Sequence, residues 1–403
     1  MEQGVVTAAR RGRWWRLIAA PFHRMLDRID RGLEAGAIEA TLPDGTARLL
    51  GGRREGPVAI VAVHRWRALR RLALGGSAGW YEAWAAGDWS SPDPVPLFDL
   101  FMRNRLSLGS AARAKGTGRL LLRGFHALRP NSRRGARANI AFHYDLGNDF
   151  YATWLDPTMS YSSAMFDGAD EQLEAAQRRK VARLLDRLRL RDGAAMLEIG
   201  CGWGFLAGEA AARGARVTAL TLSAEQAEVA RGRAGAGVVV ELTDYRDVRG
   251  RFDAIASVEM VEAIGIAQWR TYLEAIARLL VPGGRAGLQF ISIADDVFDA
   301  YAANADFIQR YVFPGGLLIS ERRFRALAEA CGLEWTDPVA FGIDYAETLR
   351  RWRLEFDAAD ADGRLPTRLD ARFKALWRYY LMYCEGGFRG GGIDVAQVTL
   401  VKR

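Results

Sequence analysis

Cysteine is scarce in this chain: only Cys201, Cys331 and Cys384 occur among 403 residues, and they lie far apart. An odd number of widely spaced cysteines argues against a disulfide framework and favours a reduced, cytoplasmic setting. No run of about 18 apolar residues is present, so the sequence predicts no transmembrane helix. No zinc-type spacing of cysteine and histidine occurs either, and we expect no metal ligands.

Acidic residues are missing from Leu100 to Tyr144, a stretch that carries ten basic residues. The N-terminus adds four arginines around Trp14 and Trp15, followed by apolar residues at near-helical spacing from Leu17 to Leu33. A basic amphipathic segment with tryptophan can lie in an anionic membrane interface, which is the partner that we expect. One alternative is a helix packed on its own core. Nucleic acid is the other, because phosphates attract the same charges, but no recognition-helix or RNP-like motif supports it.

The chain divides by composition into three regions. Residues 1–98 contain short apolar runs between glycine and proline clusters, which predicts a small α+β domain, and residues 99–140 form a basic connector. From residue 141 to 403, strand and helix patterns alternate, which is typical of a parallel sheet covered by helices. Strands are expected at 195–199, 217–220, 238–242, 252–258 and 285–293, with 395–401 as a final edge strand. The fold class is therefore α/β, with a Rossmann-like main domain.

A glycine-rich loop follows the first strand of this domain and opens a helix, with Glu198 before three alternating glycines from Gly200 to Gly204. Such glycines let the backbone approach a ligand, and the helix N-terminus offers free amide donors. A dinucleotide site would have Gly-x-Gly-x-x-Gly and an acid about 20 residues on, and both are missing, which disfavours NAD. Glu198 would suit the cationic methionine part of S-adenosylmethionine, and Asp244-Tyr245 its adenine. We therefore expect a class I S-adenosylmethionine-dependent methyltransferase domain.

Several longer motifs follow one another in the second part of the chain. They are HYDLGNDFY at 143–151, LDPTMSYS at 155–162, EIGCGWG at 198–204, TLSAEQ at 221–226, DYRD at 244–247, YVFPGG at 311–316, FGIDY at 341–345 and WRYYLMYC at 377–384. With these motifs in this order, residues 140–403 resemble the cyclopropane-fatty-acyl-phospholipid synthases and the related mycolic acid methyltransferases. The first 140 residues match no sharp motif of that family.

The resemblance implies methyl transfer from S-adenosylmethionine to the double bond of an unsaturated fatty acyl chain. Such a transfer leaves a carbocation, which requires nearby negative charge or aromatic faces and a base that removes a proton. By the same resemblance, Glu262, Tyr345 and Cys384 surround the reacting centre. The residues that it places in the cofactor site are Tyr161, Ser162, Glu198, Gly200, Gly202, Trp203, Gly204, Thr221, Leu222, Ser223, Gln226, Asp244 and Tyr245.

The chain departs from the family pattern at five positions. Cyclopropane synthases usually have Cys where this chain has Ser163 and His where it has Gln289, and the resemblance assigns both to a bicarbonate site that provides the base. They also read Gly-Met-Phe-Glu-His where this chain has the sequence EMVEA at 259–263, so that Glu259 replaces Gly, Val261 replaces Phe and Ala263 replaces His. We expect Glu259 or Glu262 to take over part of the role of bicarbonate. The alternative is a Glu259 that faces solvent or caps a helix, and the use of bicarbonate stays open.

The sequence thus predicts an enzyme that forms cyclopropane fatty acids on phospholipid acyl chains, bound peripherally to the inner face of an anionic membrane. Two alternatives remain open. The first is methyl or methylene branching of the same substrate, and the second is a non-catalytic protein that binds lipid at the membrane surface. The sequence leaves the oligomeric state undecided, with a homodimer among the options.

Overall fold

The computed structural model describes residues 13–109 and 146–403, with side chains from residue 19 onward in the first range. The chain divides into two compact units, Met1–Leu122 and Arg123–Arg403. None of the described helices is long and apolar enough to cross a membrane.

The first unit is an α+β structure, as predicted. Its elements are α1 Arg13–Gly32, β1 Ala37–Thr41, β2 Ala47–Gly51, β3 Val58–Val63, α2 Arg67–Ala85, β4 Trp89–Ser90, α3 Val95–Arg103 and α4 Arg105–Leu108. The strand order is β2-β1-β3-β4, in which β1 and β3 are parallel and the other neighbours are antiparallel. Helix α2 is kinked at Gly76, whose positive φ of 57° is non-helical.

Helix α1 covers the amphipathic segment that the sequence predicts. Leu26 and Ile29 on its apolar side are buried in the core of the unit, and Phe22 stacks on Trp66 with ring centroids 5.3 Å apart. For these residues the structure shows the alternative interpretation, a helix packed on its own core. The side chains of Trp14 and Trp15 and the basic residues at 110–144 lie outside the described part.

The second unit contains the remaining elements. They are α5 Asn148–Ala152, α6 Leu173–Leu188, β5 Ala195–Ile199, α7 Phe205–Ala212, β6 Arg216–Thr221, α8 Ala224–Arg233, β7 Val238–Leu242, β8 Phe252–Val258, α9 Trp269–Leu279, β9 Leu280–Ile293, α10 Asp295–Ala302, α11 Phe307–Tyr311, α12 Glu321–Ala330, β10 Leu333–Ala340, α13 Gly342–Ala361, α14 Ala371–Arg389 and β11 Ile393–Lys402. Short 3-10 turns at Val261–Ala263 and Ile266–Gln268 follow β8. The predicted strands and the alternation of strand and helix are confirmed.

The seven strands of this unit have the order β10-β11-β9-β8-β5-β6-β7. Strands β5 to β9 pair in parallel, whereas β11 runs antiparallel to both β9 and β10. The prediction that 395–401 is the edge strand is wrong, because β10 pairs outside it. Strand β10 was missed because Asp337, with a positive φ of 51°, and Pro338 interrupt its alternation at a bulge, and proline is tolerated at a sheet edge.

Two buried apolar clusters cover the two faces of this sheet. Successive residues of β5 point to opposite faces, and accordingly Met196 belongs to one cluster and Leu197 to the other. The first cluster receives side chains from α6, α7 and α8, and the second from α9 and α12. Because the parallel strands all end at the same edge, the loops that follow β5, β6 and β8 lie together, which is where such folds bind ligands.

Candidate active site

The glycine-rich loop connects β5 to α7, and its three glycines serve different purposes. All have positive φ, 83° at Gly200, 52° at Gly202 and 85° at Gly204. A Cβ atom at Gly204 would lie 3.0 Å from the Cβ of Ala230, so this glycine allows α7 and α8 to pack closely. A Cβ at Gly202 would meet no atom within 4 Å. Gly202 therefore borders open space at the ligand-binding edge of the sheet.

The side chain of Glu198 is buried at this edge of the sheet, and its carboxylate could accept more hydrogen bonds than it does. Its side chain is 3% exposed, and it accepts a hydrogen bond from the backbone N–H of Ala207. Its Oε2 atom has no hydrogen-bond partner among the described atoms. Burial raises the pKa of Glu198 to about 8. A buried, unsatisfied carboxylate oxygen beside an open glycine loop fits a ligand that carries a positive charge.

The loops after β6 and β7 supply further polar groups. Thr221 donates a hydrogen bond to the side-chain oxygen of Gln226 over 3.1 Å. Ser223 caps α8 by accepting from the backbone N–H of Gln226 at 3.2 Å. Asp244 accepts two hydrogen bonds from the guanidinium of Arg246, at 2.8 and 2.5 Å. Leu222 is partly buried beside Ser223, and Tyr245 is buried.

Helix α5 and the segment after it are tied to the glycine-rich loop. The indole N–H of Trp203 donates to the side-chain oxygen of Asn148 over 2.8 Å, and its ring lies 5.1 Å from that of Tyr151. Further along, the Tyr161 hydroxyl is 2.9 Å from that of Tyr380 on α14. The structure thus brings an aromatic wall to the same edge of the sheet as Gly202.

Glu259, directly after β8, is held by hydrogen bonds on both carboxylate oxygens. Its Oε1 accepts from the backbone N–H of Ser163 at 2.9 Å and from the amide of Gln289 at 2.8 Å. Its Oε2 accepts from the Tyr345 hydroxyl at 2.7 Å. The alternative of a solvent-facing or helix-capping Glu259 is therefore wrong. The structure instead joins Ser163, Gln289 and Glu259, three of the positions at which the chain departs from the family pattern.

The backbone at Glu259 has a positive φ of 47°. This left-handed conformation is uncommon for residues other than glycine, and the glycine that the family has at this position would adopt it freely. Sparsely populated backbone conformations of this kind cluster at functional sites and cost on the order of 1–3 kcal/mol. The carboxylate of Glu259 is thus held at this point by a strained backbone conformation.

Glu262 lies in the 3-10 turn after Glu259, and its carboxylate has a different environment. Its Oε1 accepts a hydrogen bond from the backbone N–H of Ile291, and its Oε2 has no partner among the described atoms. Burial, and then the charge of Glu259, raise the pKa of Glu262 to about 8. Burial also raises the pKa of Glu259, but the hydrogen bonds of Tyr345 and Gln289 and the charge of Lys180 oppose that rise. Three donors point at the carboxylate of Glu259 and one at that of Glu262, so we assign the negative charge to Glu259 and the proton to Glu262.

Tyr345 and Cys384 stay uncharged in this site. Burial raises the pKa of the Tyr345 hydroxyl well above its usual value, so the hydroxyl keeps the proton that it donates to Glu259. Burial likewise raises the pKa of the Cys384 thiol, which argues against a nucleophilic thiolate. The thiol lies within electrostatic reach of Tyr161, Tyr345 and Tyr380. The residues expected at the reacting centre therefore lie in one neighbourhood.

Sequence reasoning missed two buried polar residues behind this site, Lys180 on α6 and Gln397 on β11. They are 1% and 0% exposed, respectively. A signal was present for both, because Lys180 lies next to Val181 and one turn before Leu184 on the apolar side of its helix. Gln397 interrupts a strand that is otherwise apolar. A polar residue within a buried stripe is informative, since its hydrogen bonds must be made inside the protein.

Together, a mostly parallel seven-stranded sheet with an antiparallel β11, an open glycine-rich loop after β5 and a buried acid before it define a class I S-adenosylmethionine-dependent methyltransferase. Residues 131–398 match the family described as mycolic acid cyclopropane synthetase. The chain belongs to this family, which confirms the resemblance seen in the sequence. The family also confirms the predicted enzyme class, that of S-adenosylmethionine-dependent methyltransferases.

Known relatives cover most of the chain. The tuberculostearic acid methyltransferase UfaA1 of Mycobacterium tuberculosis is 39% identical over 384 residues, which is 89% of this chain and 86% of the relative. The cyclopropane-fatty-acyl-phospholipid synthase of Escherichia coli is 35% identical over 336 residues, 82% of this chain and 84% of the relative. The mycolic acid cyclopropane synthase CmaA1, solved with S-adenosylhomocysteine and CTAB, has a TM-score of 0.62 and 30% identity. It covers 66% of this chain and 98% of its own.

Proposed function

We propose that the protein transfers a methyl group from S-adenosylmethionine to the double bond of an unsaturated phospholipid acyl chain, and that Glu259 then removes a proton, leaving a methyl or methylene branch. The position of the Glu259 carboxylate carries this proposal. It accepts hydrogen bonds from Ser163, Gln289 and Tyr345. By resemblance, the first two positions belong to the bicarbonate site of cyclopropane synthases. A carboxylate of the chain itself would thus take the place of the base that those enzymes hold.

The bound cofactor would supply an electrophilic methyl group on a sulfonium sulfur. Formation of the new carbon–carbon bond uses the electron pair of the alkene and leaves a positive charge on the neighbouring carbon. The ionised Glu259 and the aromatic faces of Tyr161 and Tyr345 would stabilise that charge. Glu259 would then accept a proton over hydrogen-bonding distance, while the neutral Glu262 beside it keeps its own.

Two events decide the product: which carbon loses the proton, and whether a hydride shifts first. Loss of a proton from the transferred methyl group, with closure of a third carbon–carbon bond, gives a cyclopropane. Loss of a proton from a carbon of the chain gives a methyl-branched alkene, and a hydride shift before loss from the methyl group gives a methylene branch. The three products have the same mass, and none requires a reductant.

The two relatives support different products. The relative that is 39% identical is named a methyltransferase, whereas the one that is 35% identical is named a cyclopropane synthase. Glu259 favours the branched product, because the chain departs from the cyclopropane synthases in the residues that hold the base. Cyclopropane formation is the second candidate, favoured by the likeness to the CmaA1 structure.

Lipid analysis after expression in a host without such enzymes tests the proposal. We expect new acyl chains that are heavier by one CH₂ and whose NMR spectra show a branched alkene without cyclopropane signals. The host carrying the Glu259→Gln variant is the matched control and should contain far fewer of these chains. Cyclopropane signals would select the second candidate, and unchanged lipids from a folded, cofactor-binding protein would contradict methyl transfer to acyl chains.

The open space at Gly202 and the unsatisfied oxygen of Glu198 fit S-adenosylmethionine. Glu198 would hold its cationic end, the backbone of the loop from Gly200 to Gly204 would contact it directly, and Thr221 and Gln226 would offer hydrogen bonds after β6. The aromatic side chains of Trp203 and Tyr161 would enclose it. The family and the S-adenosylhomocysteine in the CmaA1 structure support this placement.

Cofactor binding should release a proton at neutral pH. The pKa of Glu198 is raised to about 8, so the free protein holds this carboxyl mostly protonated at pH 7. A cation bound beside it favours the ionised form, and the proton leaves. Calorimetry of S-adenosylmethionine binding at pH 7, in buffers of different ionisation enthalpy, should show release of about one proton per site. In Glu198→Gln this release should disappear, and its persistence there would contradict the assignment.

We further propose that the basic segment binds an anionic membrane surface, an expectation that rests on the sequence alone because the segment lies outside the described residues. Binding to anionic vesicles should weaken as salt rises, since exposed charges are screened over about 8 Å at physiological ionic strength. Reversal of Arg133, Arg134 and Arg137 to Glu should release the protein from vesicles and leave cofactor affinity intact. Equal co-sedimentation with neutral and anionic vesicles would rule out this electrostatic attraction.

A further inference from the structure

Lys180 is a buried cation whose role in the reaction is unassigned. Its ammonium group donates a hydrogen bond to the hydroxyl of Ser162 over 2.6 Å, and the residue is 1% exposed. Burial of an ammonium group is costly unless negative charge lies nearby. Whether Lys180 keeps its charge in such a place therefore depends on the carboxylates around it.

Two hydrogen-bonded connections join Lys180 to Glu259. In the first, Ser162 accepts from the Lys180 ammonium while the next backbone N–H, that of Ser163, donates to Glu259. In the second, the amide of Gln397 donates at 3.1 Å both to the backbone carbonyl of Lys180 and to the side-chain oxygen of Gln289. Gln289 in turn donates to Glu259. The cation and the carboxylate are thus fixed to the same framework, which spans α6, β9 and β11.

The charges around this framework are distributed unevenly. Burial lowers the pKa of the Lys180 ammonium to about 8, and the neighbouring carboxyl groups of Glu259, Asp156 and Glu198 limit that fall. Lys180 is therefore mostly protonated at pH 7. Around Glu259, the charge of Lys180 favours ionisation, as does the Tyr345 hydroxyl. The carboxyl group of Glu262 lies near Glu259, and two negative charges at these positions would repel each other.

We infer that Lys180 is a positioning residue that keeps Glu259 ionised, so that the carboxylate is ready to accept the proton of the reaction. It does so from behind the site, as a positive charge held by Ser162 on a residue whose backbone carbonyl is connected to Glu259 through Gln397 and Gln289. The inference rests on the proposed role of Glu259 as the base. It assigns a role to a residue outside the sets placed in the cofactor site and at the reacting centre.

The pH dependence of turnover tests this inference with the full-length protein and vesicles of unsaturated phospholipid. Removal of the cation in Lys180→Met raises the pKa of Glu259, so the acidic limb of the turnover profile should move to higher pH by about one pH unit or more. Turnover on that limb should fall about tenfold for each pH unit by which the limb moves and recover in part near pH 9. Lys180→Arg, which keeps the charge, should leave the limb close to its original position.

Lys374→Met is the matched control. Lys374 lies away from the site, where its ammonium pairs with Asp360 over 2.8 Å. The pH profile of this variant should match that of the unmodified protein. A purely structural role of Lys180 would lower turnover by the same factor at every pH, and an unmoved limb in Lys180→Met would overturn the inference. Should that variant fail to fold, Lys180→Gln, which keeps a donor for Ser162, provides the same readout. If Glu259→Gln turns over normally, the proposed base is wrong. If it is slow while the limb of the Lys180 variants stays in place, only the inference about Lys180 fails.

Discussion

Glu259→Gln should slow methyl transfer by on the order of a hundredfold or more, the usual contribution of a general acid–base group. The amide is nearly isosteric: its single oxygen can accept from Ser163 and Gln289, as Oε1 of Glu259 does, and its NH₂ group can donate to the Tyr345 hydroxyl. The protein should therefore fold and bind S-adenosylmethionine as before. The amide lacks the negative charge and cannot accept the proton. Single-turnover kinetics and calorimetry measure the two effects separately. Glu334→Gln, at an exposed position of β10, is the matched control and should be fully active.

Bicarbonate provides a second arm of the same experiment. The unmodified protein should be insensitive to added or depleted bicarbonate, since Glu259 already accepts the hydrogen bonds of Ser163, Gln289 and Tyr345. Glu259→Gly restores the residue of the cyclopropane synthases, relieves the positive φ and leaves room for an anion. We expect it to be inactive without bicarbonate and partly rescued by it. Strong bicarbonate dependence of the unmodified protein, together with a fully active Glu259→Gln variant, would refute the role of Glu259.

Gly202→Val should weaken S-adenosylmethionine binding by about 100-fold or more, equivalent to about 2.7 kcal/mol. The valine side chain would fill space in which a Cβ meets no protein atom within 4 Å and which we assign to the cofactor. Calorimetry with S-adenosylmethionine and S-adenosylhomocysteine measures the loss, and NAD should not bind to either form of the protein. Unchanged affinity in the variant would show that the cofactor does not occupy this space.

Backbone strain requires a control for this experiment, because a β-branched residue at the positive φ of Gly202 costs stability by itself. Gly193→Val is suitable, since Gly193 also has a positive φ, 73°, and open space around its Cβ position. It precedes β5 and therefore lies at the opposite edge of the sheet from the glycine-rich loop. Both variants should lose thermal stability to a similar extent, whereas only Gly202→Val should lose the cofactor.

Much of the fold was predictable from local sequence patterns. Apolar runs of five to seven residues separated by amphipathic helices specify parallel strands, and the glycine spacing after β5 specified the class of cofactor. The identity of the outermost strand of the sheet was not predictable. A helix precedes each of the candidate segments, 333–340 and 395–401, so their local sequence does not distinguish them. Only the pairing of strands shows that the second lies between the first and β9. The bulge at Asp337 and Pro338 concealed the true edge strand further.

The candidate site, too, was predictable from the sequence only in part. The sequence by itself determined which residue types are present, including the unusual carboxylate at Glu259 and the replacements at Ser163 and Gln289, because motif order and composition are local properties. Only the tertiary structure decided that these three positions share hydrogen bonds and that Lys180 stands behind them. The physical reason is that hydrogen bonds and charge–charge interactions depend on distances between α6, β8, β9 and the segment before α6. Those distances are set by how the helices pack on the sheet, and no local pattern along the chain records them.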